Sequence, residues 1–551
     1  MISVISFIAF TAMVGIISYF ATRKTDENTS DGYFLGGRSL TAGVIAGSLL
    51  LTNLSTEQIV GLNGQAYAEG ILVMAWETLA AIAIVVTALY LLPRYLKSGL
   101  TTVPTFLANR FDVTTKTMTS ALFLTGYVVV LLPVILYSGS LAVSGMFNIP
   151  EMLNVSESQA LWICVWGIGI IGAIYAVFGG LKAVAVSDSI NAVGLLIGGL
   201  LIPVFGLMAL GDGSIGEGVN ILMRENPEKF NSIGSKTASI PFHTIFTGMM
   251  LVQLFYWGTN QQIIQRALAA KNLKEGQKGL MLAAFIKILG PIIVVLPGII
   301  AYQYFKADGG LETADAAYPA LVNAVLPASL LGFFAAVLFG AILSSFNSVL
   351  NSSVTLFGID IYKQHINKDA DEKTVVKYGK IFGTILAIAA MFIAPLLQNA
   401  GSLFNYLQEV NGIYSIPILT IIVVGFATKR VPAIAAKIGL LSGSLLYIIS
   451  QFVLQPYFVN KALANAEAAG ITDPQALAEI KADAYWPYLD VMAALFVVNI
   501  IIMLIIGKMK PRPEAYVQEY TQQVDITPWK HVRLAGALVV LIVVSTYIYF
   551  R

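Results

Sequence analysis

The sequence predicts an all-α, polytopic membrane protein with about fourteen transmembrane helices. Three observations support this fold class. Of the 551 residues, 57% are hydrophobic and only 12% are charged, and the mean hydropathy is +0.77. A soluble domain carries about 25% charged residues. Because charge is costly inside a bilayer, such a shortage over the whole length places most of the chain in a membrane.

The individual spans follow from the length of the apolar runs, since a spanning helix needs roughly 20 predominantly apolar residues. The predicted spans cover residues 2–21, 43–66, 71–92, 117–146, 159–177, 183–210, 242–261, 279–304, 322–359, 381–399, 403–427, 432–455, 485–507 and 534–550. The first run has no basic residue before it, and Arg23 and Lys24 follow it. This charge pattern favours a membrane anchor over a cleaved signal peptide.

The basic residues predict the orientation. If the N-terminus is outside, most of the 33 lysines and arginines fall in loops on the cytoplasmic side, where they are normally enriched. An even number of spans then places the C-terminus outside as well. The longest segments between spans, 211–241 and 456–484, are too short for a separate soluble domain.

Several function classes find no support in the residues. Cys164 is the single cysteine, so an intrachain disulfide is excluded, and the three histidines are scattered without metal-ligand spacing. No P-loop is present, and no nucleophile–base pair marks an enzyme. The net charge of +2 gives no reason to expect a nucleic-acid partner. A membrane sensor would normally add a soluble signalling domain, and the segments between the predicted spans are too short for one.

The second span contains a polar stretch at residues 51–58, followed by Gly61 and Gly64. Such a stretch halfway along an apolar helix predicts a break, and the carbonyls that a break frees are good ligands for Na⁺. The alternative is that these polar and small residues only pack helices together.

The third and eighth spans carry one buried charge each, Glu77 and Lys287, and Pro291 follows one turn after the lysine. Since proline has no N–H, the carbonyl of Lys287 loses its helical partner. The two charges could simply pair with each other, but such a pair rarely repays its desolvation through stability alone. A role in binding is therefore the favoured interpretation.

In the ninth span, Ala341, Ser344 and Ser345 fall at i, i+3 and i+4, so they share one helix face. Two hydroxyls and a carbonyl suit a hard cation, although serine hydroxyls often bond back to their own helix. The eleventh span has a polar patch at 408–409 ahead of Gly412 and Pro417, which again places polar groups next to helix breakers.

The seventh span is interrupted by the polar stretch 255–261, and it lies five spans after the interrupted second span. Unusual segments at matching positions of two five-helix units point to inverted repeats with a binding site at the midplane. The aromatic residues of this stretch could instead form a belt at the membrane interface.

The segments 53–58, 256–271 and 341–345 resemble those of the sodium/solute symporter family, and most resemble its bacterial sodium/galactose (sodium/glucose-type) members. The similarity runs through essentially the whole chain. It implies a five-plus-five inverted repeat with discontinuous helices. An extra helix and loop would occupy 1–42, the two repeats 43–211 and 242–427, and three peripheral helices 428–551.

The resemblance also implies roles for individual residues. The Na⁺ ligands would be the carbonyls of Leu51, Leu54 and Ala341 and the hydroxyls of Ser344 and Ser345. Residues lining the solute site would be Asn53, Gln58, Trp76, Glu77, Gln253, Lys287 and Gln408. The gate would comprise Tyr256 and Trp257 on the inner side and Phe404 on the outer side. Asp188 would be either a ligand of a second Na⁺ or a stop on the ion's exit path.

The chain departs from the galactose carriers at several neutral positions. Ala80 stands in place of a serine, Leu131 and Gln253 in place of asparagines, and Trp76 in place of a tyrosine. The charged residues are kept while several neutral partners for sugar hydroxyls are lost. The solute is therefore expected to be a different sugar, a polyol or a more apolar-faced solute. A carrier of an amino acid or organic acid is the alternative, and Glu77 disfavours it.

The activity implied by the resemblance is secondary active symport, in which inward flow of Na⁺ drives solute uptake by alternating access. The expected location is a plasma membrane, such as a bacterial inner membrane. No cofactor is expected. The expected partners are Na⁺, a sugar-like solute and the lipid bilayer, and the oligomeric state is left open. One Na⁺ per solute is expected, because the residues facing Asp188 are Asn347 and Ser348, which leaves one hydroxyl where relatives with a second ion have two.

Overall fold

The computed structural model describes residues 2–22, 29–399 and 403–551. Arg23 and Lys24 of the first predicted loop lie outside the described residues. Helix accounts for 83% of the structure, and the described residues form no strand; an isolated bridge joins Leu40 to Ala270. The predicted all-α class is confirmed.

The described residues form twenty-five α-helices. In chain order they are α1 (Ile2–Thr22), α2 (Ser30–Leu35), α3 (Ala42–Asn53), α4 (Thr56–Glu69), α5 (Ala75–Val86), α6 (Leu92–Lys97), α7 (Val103–Arg110), α8 (Val113–Gly126), α9 (Leu132–Phe147), α10 (Ile149–Leu153), α11 (Glu157–Leu210), α12 (Ile215–Glu225), α13 (Gly248–Gly258), α14 (Gln261–Leu268), α15 (Leu273–Val294), α16 (Leu296–Phe305), α17 (Ala317–Val325), α18 (Ala328–Thr355), α19 (Glu372–Ile393), α20 (Leu403–Ala427), α21 (Ala433–Ile449), α22 (Gln455–Ala468), α23 (Pro474–Ala484), α24 (Tyr488–Met509) and α25 (Val532–Tyr549).

Short segments of other helix types continue or join several of these helices. The π-helical segments are Thr87–Leu91, Tyr127–Leu131, Leu356–Ile366 and Ser450–Leu454. The 3₁₀ segments are Gly36–Arg38, Gly70–Met74, Pro227–Phe230, Phe242–Phe246, Lys306–Asp308, Ala314–Ala316 and Ala394–Asn399. In α11 the helical backbone is interrupted at Gly180, where φ is +57° and ψ is −176°. The kink falls where the sequence predicts the loop between the fifth and sixth spans.

Helices lie over all fourteen predicted spans. Within the described residues, eleven helical stretches are long and apolar enough to cross a membrane by length and composition, and Phe7–Ala21 and Ala42–Asn53 are shorter apolar helices. Of the predicted spans, the second and the seventh miss this length, whereas the first is covered by the 21-residue helix α1. For the second and seventh the reason is that each is divided in two. The count of fourteen crossings stays a prediction.

Both predicted interruptions are present. In the second span, α3 ends at Asn53 and α4 begins at Thr56, because Leu54 has ψ of 59° and Ser55 has ψ of 172°. In the seventh span, α13 ends at Gly258 and α14 begins at Gln261, with ψ of 119° at the intervening Asn260. These breaks occupy matching places in the two predicted five-helix units, whose symmetry relation itself stays a prediction.

Candidate functional site

The break between α3 and α4 exposes backbone carbonyls in the interior of the protein. The amide of Leu54 bonds to the Leu50 carbonyl at 2.8 Å and closes α3, and the amide of Ile59 bonds to the Ser55 carbonyl at 2.9 Å and opens α4. Among the described residues, no turn or cap bond reaches the carbonyls of Leu51 and Leu54. Carbonyls freed in this way are suited to bind a cation.

Helix α18 brings hydroxyl groups to the same break. Ser345 Oγ donates to the carbonyl of Thr52 at 3.2 Å, so this serine lies directly against the interrupted helix. Ser344 Oγ is buried and makes no hydrogen bond within 3.5 Å among the described residues. Ala341 is completely buried on the same face of α18. Hard oxygen donors of this kind fit Na⁺, and the unpartnered Ser344 hydroxyl is free to act as a ligand.

Four of the predicted solute-binding residues form a closed ring of hydrogen bonds. Lys287 Nζ donates to Glu77 Oε2 at 2.5 Å and also to Asn53 Oδ1. Gln58 Nε2 donates to Glu77 Oε1 at 2.7 Å. Asn53 Nδ2 closes the ring with a longer bond of 3.3 Å to Gln58 Oε1. The ring therefore joins the two sides of the break to α5 and α15.

The two charged members of the ring are buried and their charges balance, whereas Gln58 is partly exposed. Glu77 is 0% and Lys287 1% exposed, so neither charge is neutralised by water and each depends on the other. Gly290 lies one turn after the lysine, and a Cβ there would overlap the Glu77 carboxylate. The close approach of α15 to α5 thus requires glycine at this position. Removing one partner of such a buried pair is strongly destabilising, about 3–5 kcal/mol.

Two of the predicted gate residues, Tyr256 and Trp257, lie next to each other on α13, with ring centroids 5.3 Å apart. The Trp257 ring centroid is 5.7 Å from Lys287 Nζ, a distance typical of a cation–π contact. Gln253 Nε2 donates to the backbone carbonyl of Trp76 at 3.0 Å. This bond ties α13 to α5 and engages the amide nitrogen of Gln253.

One predicted solute-binding residue, Gln408, is not brought into this arrangement. Gln408 is only partly buried in α20, and in the part of the chain that the structure describes no hydrogen bond joins it to the ring. The side chain of Phe404 lies outside the described residues.

Asp188 lies in a second buried network, on the other side of the break. Ser48 Oγ donates to Asp188 Oδ2 at 2.6 Å and accepts from Arg266 Nε at 3.1 Å. Arg266 Nη2 lies 4.0 Å from the same carboxylate oxygen and also donates to Ser348 Oγ. The arginine, which is 0% exposed, thus connects α14 to α3, α11 and α18.

Sequence reasoning missed Arg266 and Glu57 as candidate site residues. The partners of Arg266 are far away in the chain, so no local pattern reveals them. Glu57 lies in the first turn of α4, is 9% exposed, and its Oε2 has no hydrogen-bond partner among the described residues. The available signal was an acid inside an apolar span, the same signal that singled out Glu77.

The arrangement of a broken helix, freed carbonyls and facing hydroxyls can be compared with known proteins. The model of the Sodium:solute symporter family matches residues 33–443. The chain belongs to this family. The symporter is therefore a multi-pass membrane transporter and not an enzyme, with Na⁺ and a small solute as its partners.

Relatives of this symporter include both uncharacterised and named carriers. The "Uncharacterized symporter YidK" of Escherichia coli is 44% identical over 99% of this chain and 90% of its own length. The "Sodium/glucose cotransporter" of Vibrio parahaemolyticus is 32% identical, covering 80% and 83%. The human "Sodium/myo-inositol cotransporter 2" is 29% identical, covering 80% and 68%.

Solved structures show the same fold for the symporter. A Na⁺-coupled sialic acid symporter in a substrate-bound, outward-open state superposes with a TM-score of 0.73. The match covers 94% of this chain and 99% of that one at 18% sequence identity. At this identity the likeness concerns the fold alone.

Proposed function

We propose that this symporter couples inward flow of Na⁺ to uptake of a small neutral, hydroxyl-rich solute, a sugar or a polyol, across the plasma membrane. The observation that carries the proposal is the closed ring of Asn53, Gln58, Glu77 and Lys287, whose one negative and one positive charge balance. The naming of relatives as glucose and myo-inositol cotransporters supports the same solute class.

A hydroxyl-rich solute suits this ring because each hydroxyl both donates and accepts. A solute hydroxyl can insert between the side-chain amides of Asn53 and Gln58 and replace the bond between them, which at 3.3 Å is the longest of the ring. The ring's carboxylate and ammonium can then receive and donate charge-assisted bonds, which are about twice as strong as neutral ones. A neutral solute also leaves the balance of buried charge undisturbed.

A carrier of an amino acid or organic acid would need a cation free to receive a carboxylate. Lys287 is already bound to Glu77 and Asn53, and Arg266 is bound to Ser48 and Ser348. A solute carboxylate would therefore have to displace an existing partner and lie beside Glu77. This electrostatic cost makes the neutral solute the better candidate.

The proposed mechanism is alternating access through the two broken helices, within a fourteen-helix, five-plus-five arrangement whose termini both lie outside. Na⁺ would bind the carbonyls of Leu51, Leu54 and Ala341 and the hydroxyls of Ser344 and Ser345, with Asp188 on its way out. Moving one charge inward contributes about 2.3 kcal/mol per 100 mV, and a tenfold Na⁺ gradient adds about 1.4 kcal/mol. One ion can thus support accumulation of roughly a few hundredfold.

A thermal-shift screen of the purified protein against sugars, polyols, amino acids and organic acids, with and without Na⁺, tests the proposal. A sugar or polyol is expected to raise the melting temperature, and to raise it more with Na⁺ present, because ligands stabilise the state they bind. Stabilisation by an amino acid or organic acid, and by no sugar or polyol, would refute the proposed solute class.

A further inference from the structure

A third buried polar cluster lies away from the solute and Na⁺ sites, around Asp360 at the end of the ninth predicted span. Its carboxylate is 0% exposed and pairs with Lys116 Nζ at 2.9 Å. It also accepts from Ser120 Oγ at 2.9 Å and from Thr102 Oγ1 at 3.1 and 3.2 Å. The donors come from α8 and from the loop before α7, so one carboxylate joins three parts of the chain.

The loop that Asp360 anchors reaches the second half of the broken seventh span. Thr102 is the N-cap of α7, and its two neighbours bind Gln261, the first residue of α14. The amide of Val103 donates to Gln261 Oε1 at 2.8 Å, and Gln261 Nε2 donates to the Thr101 carbonyl at 3.4 Å. The side chain of Gln261 is 0% exposed, so these bonds have no competition from water.

The position of Gln261 gives these two bonds a mechanical role. It follows the break at Asn260 directly, so α14 can change its direction relative to α13 there with few backbone torsions. Tyr256, the predicted inner gate, lies just before this break, and Arg266 lies on α14 itself. Any opening towards the predicted cytoplasmic side that swings α14 must therefore separate Gln261 from the loop, as well as Arg266 from Ser48 and Ser348.

We propose that Asp360 is a positioning residue for a latch, in which the backbone of Thr101 and Val103 holds Gln261 and keeps α14 closed over the predicted cytoplasmic side. This inference rests on the proposed alternating-access function. The ion pair and hydroxyl bonds at Asp360 keep the loop in place through the cycle. The bonds to Gln261 are neutral, and one is long, so they are the part that separates.

The chain's single cysteine makes the latch directly testable. In a Cys164→Ser background, Ile264→Cys places a reporter thiol on α14 at a position that is 0% exposed. A membrane-impermeant maleimide, applied from the predicted cytoplasmic side of proteoliposomes, reports how often α14 opens. Gln261→Ala is expected to raise the modification rate about fivefold, the effect of losing roughly one net hydrogen bond.

Variants at Thr102 test the role of Asp360 without removing a buried charge. Thr102→Val removes one donor to the carboxylate and is expected to accelerate modification severalfold, whereas Thr102→Ser keeps the hydroxyl and the parental rate. Asp112→Asn is the matched control, because its ion pair with Lys437, at 2.7 Å, lies at the same end of α8 and contacts neither Asp360 nor α14. Its modification rate is expected to equal that of the parent.

A second readout separates the latch from a merely structural contact. Gln261→Ala is expected to raise the Na⁺ concentration for half-maximal uptake severalfold, while the maximal rate changes less. Without the latch the carrier opens more easily towards the cytoplasm, so more Na⁺ is needed to hold it in the form that is closed on that side. Parental rates of modification in both Gln261→Ala and Thr102→Val, in folded protein, would overturn the latch. Absence of Na⁺-dependent uptake in the parent would instead refute the proposed function, which keeps the two failures distinct.

Discussion

At the scale of single residues, the ring of Asn53, Gln58, Glu77 and Lys287 would decide how the proposed site binds its solute. Each member has partners within the ring, so a solute that binds there would have to exchange bonds with the ring and could not simply add to it. The net gain then depends on the difference between the bonds that are formed and those that are lost, which is the usual basis of specificity in buried polar sites. The two charged members contribute most to this difference.

Replacing a charged member of the ring should abolish solute binding or weaken it at least tenfold. Glu77→Gln loses a charge-assisted acceptor, and Lys287→Ala leaves the Glu77 carboxylate buried without its cation. Solute affinity of the purified variants, measured with membrane insertion verified, checks this. Asp112→Asn, which loses an ion pair outside the ring, should bind normally. Wild-type affinity in both ring variants would reduce the pair to a structural contact.

Tyr256 is expected to retain bound solute. Tyr256→Ala removes the hydroxyl and the ring that would stack on the solute, so solute release should accelerate severalfold with little loss of stability. Tyr256→Phe keeps the ring and should fall between alanine and wild type. Release can be followed by dilution of labelled solute from the purified protein. Equal release rates in all three would make Tyr256 an ordinary packing residue.

At the scale of helices, the two interruptions show what local sequence can predict. The polar stretch 51–58 predicts the break between α3 and α4, and 255–261 predicts the break between α13 and α14, because polar groups and glycine disfavour a continuous apolar helix. The exact turn at Asn260 depends on more distant contacts. Its side chain caps α14 by accepting from the Gln262 amide and receives a 2.5 Å bond from Tyr127.

Contacts between helices could be predicted only for lone charges within apolar spans, because such charges have few possible partners. Pairing of Glu77 with Lys287 could be anticipated as an alternative to binding, since each is a lone charge within its span. Arg266 and Asp360 could not be interpreted in the same way. Both stand near predicted loops, where a charge is normally solvated, and their burial follows from the folding of the loop at Thr102 and of α14 into the protein interior.

At the scale of the whole molecule, transport should depend on Na⁺ and not on K⁺. The proposed ligand set is made of a few carbonyls and hydroxyls around a helix break, and its geometry is expected to favour the smaller ion. Uptake of solute into proteoliposomes should be strong with an inward Na⁺ gradient and negligible with K⁺ or choline. Uptake that runs equally well in choline, with or without a proton gradient, would contradict Na⁺ coupling.

One Na⁺ is expected to enter with each solute. A second ion would need Asp188, and this carboxylate is already engaged by Ser48 and lies 4.0 Å from Arg266. Facing it are Asn347 and Ser348, and Ser348 is itself bound by Arg266. Dual-isotope flux at a clamped potential measures the ratio. Two Na⁺ per solute, falling to one in Asp188→Ala, would overturn this expectation.

The balanced ring also has a consequence for the return of the carrier after unloading. Because Glu77 and Lys287 neutralise each other at 2.5 Å, these central groups present no net charge to the electric field when ion and solute have left. Voltage should then act mainly on the loaded step, in which Na⁺ supplies the moving charge. The rate at which the empty carrier returns would be governed by temperature and by bilayer properties. Hyperpolarisation would therefore speed uptake only until the return of the empty, uncharged carrier becomes the rate-limiting step.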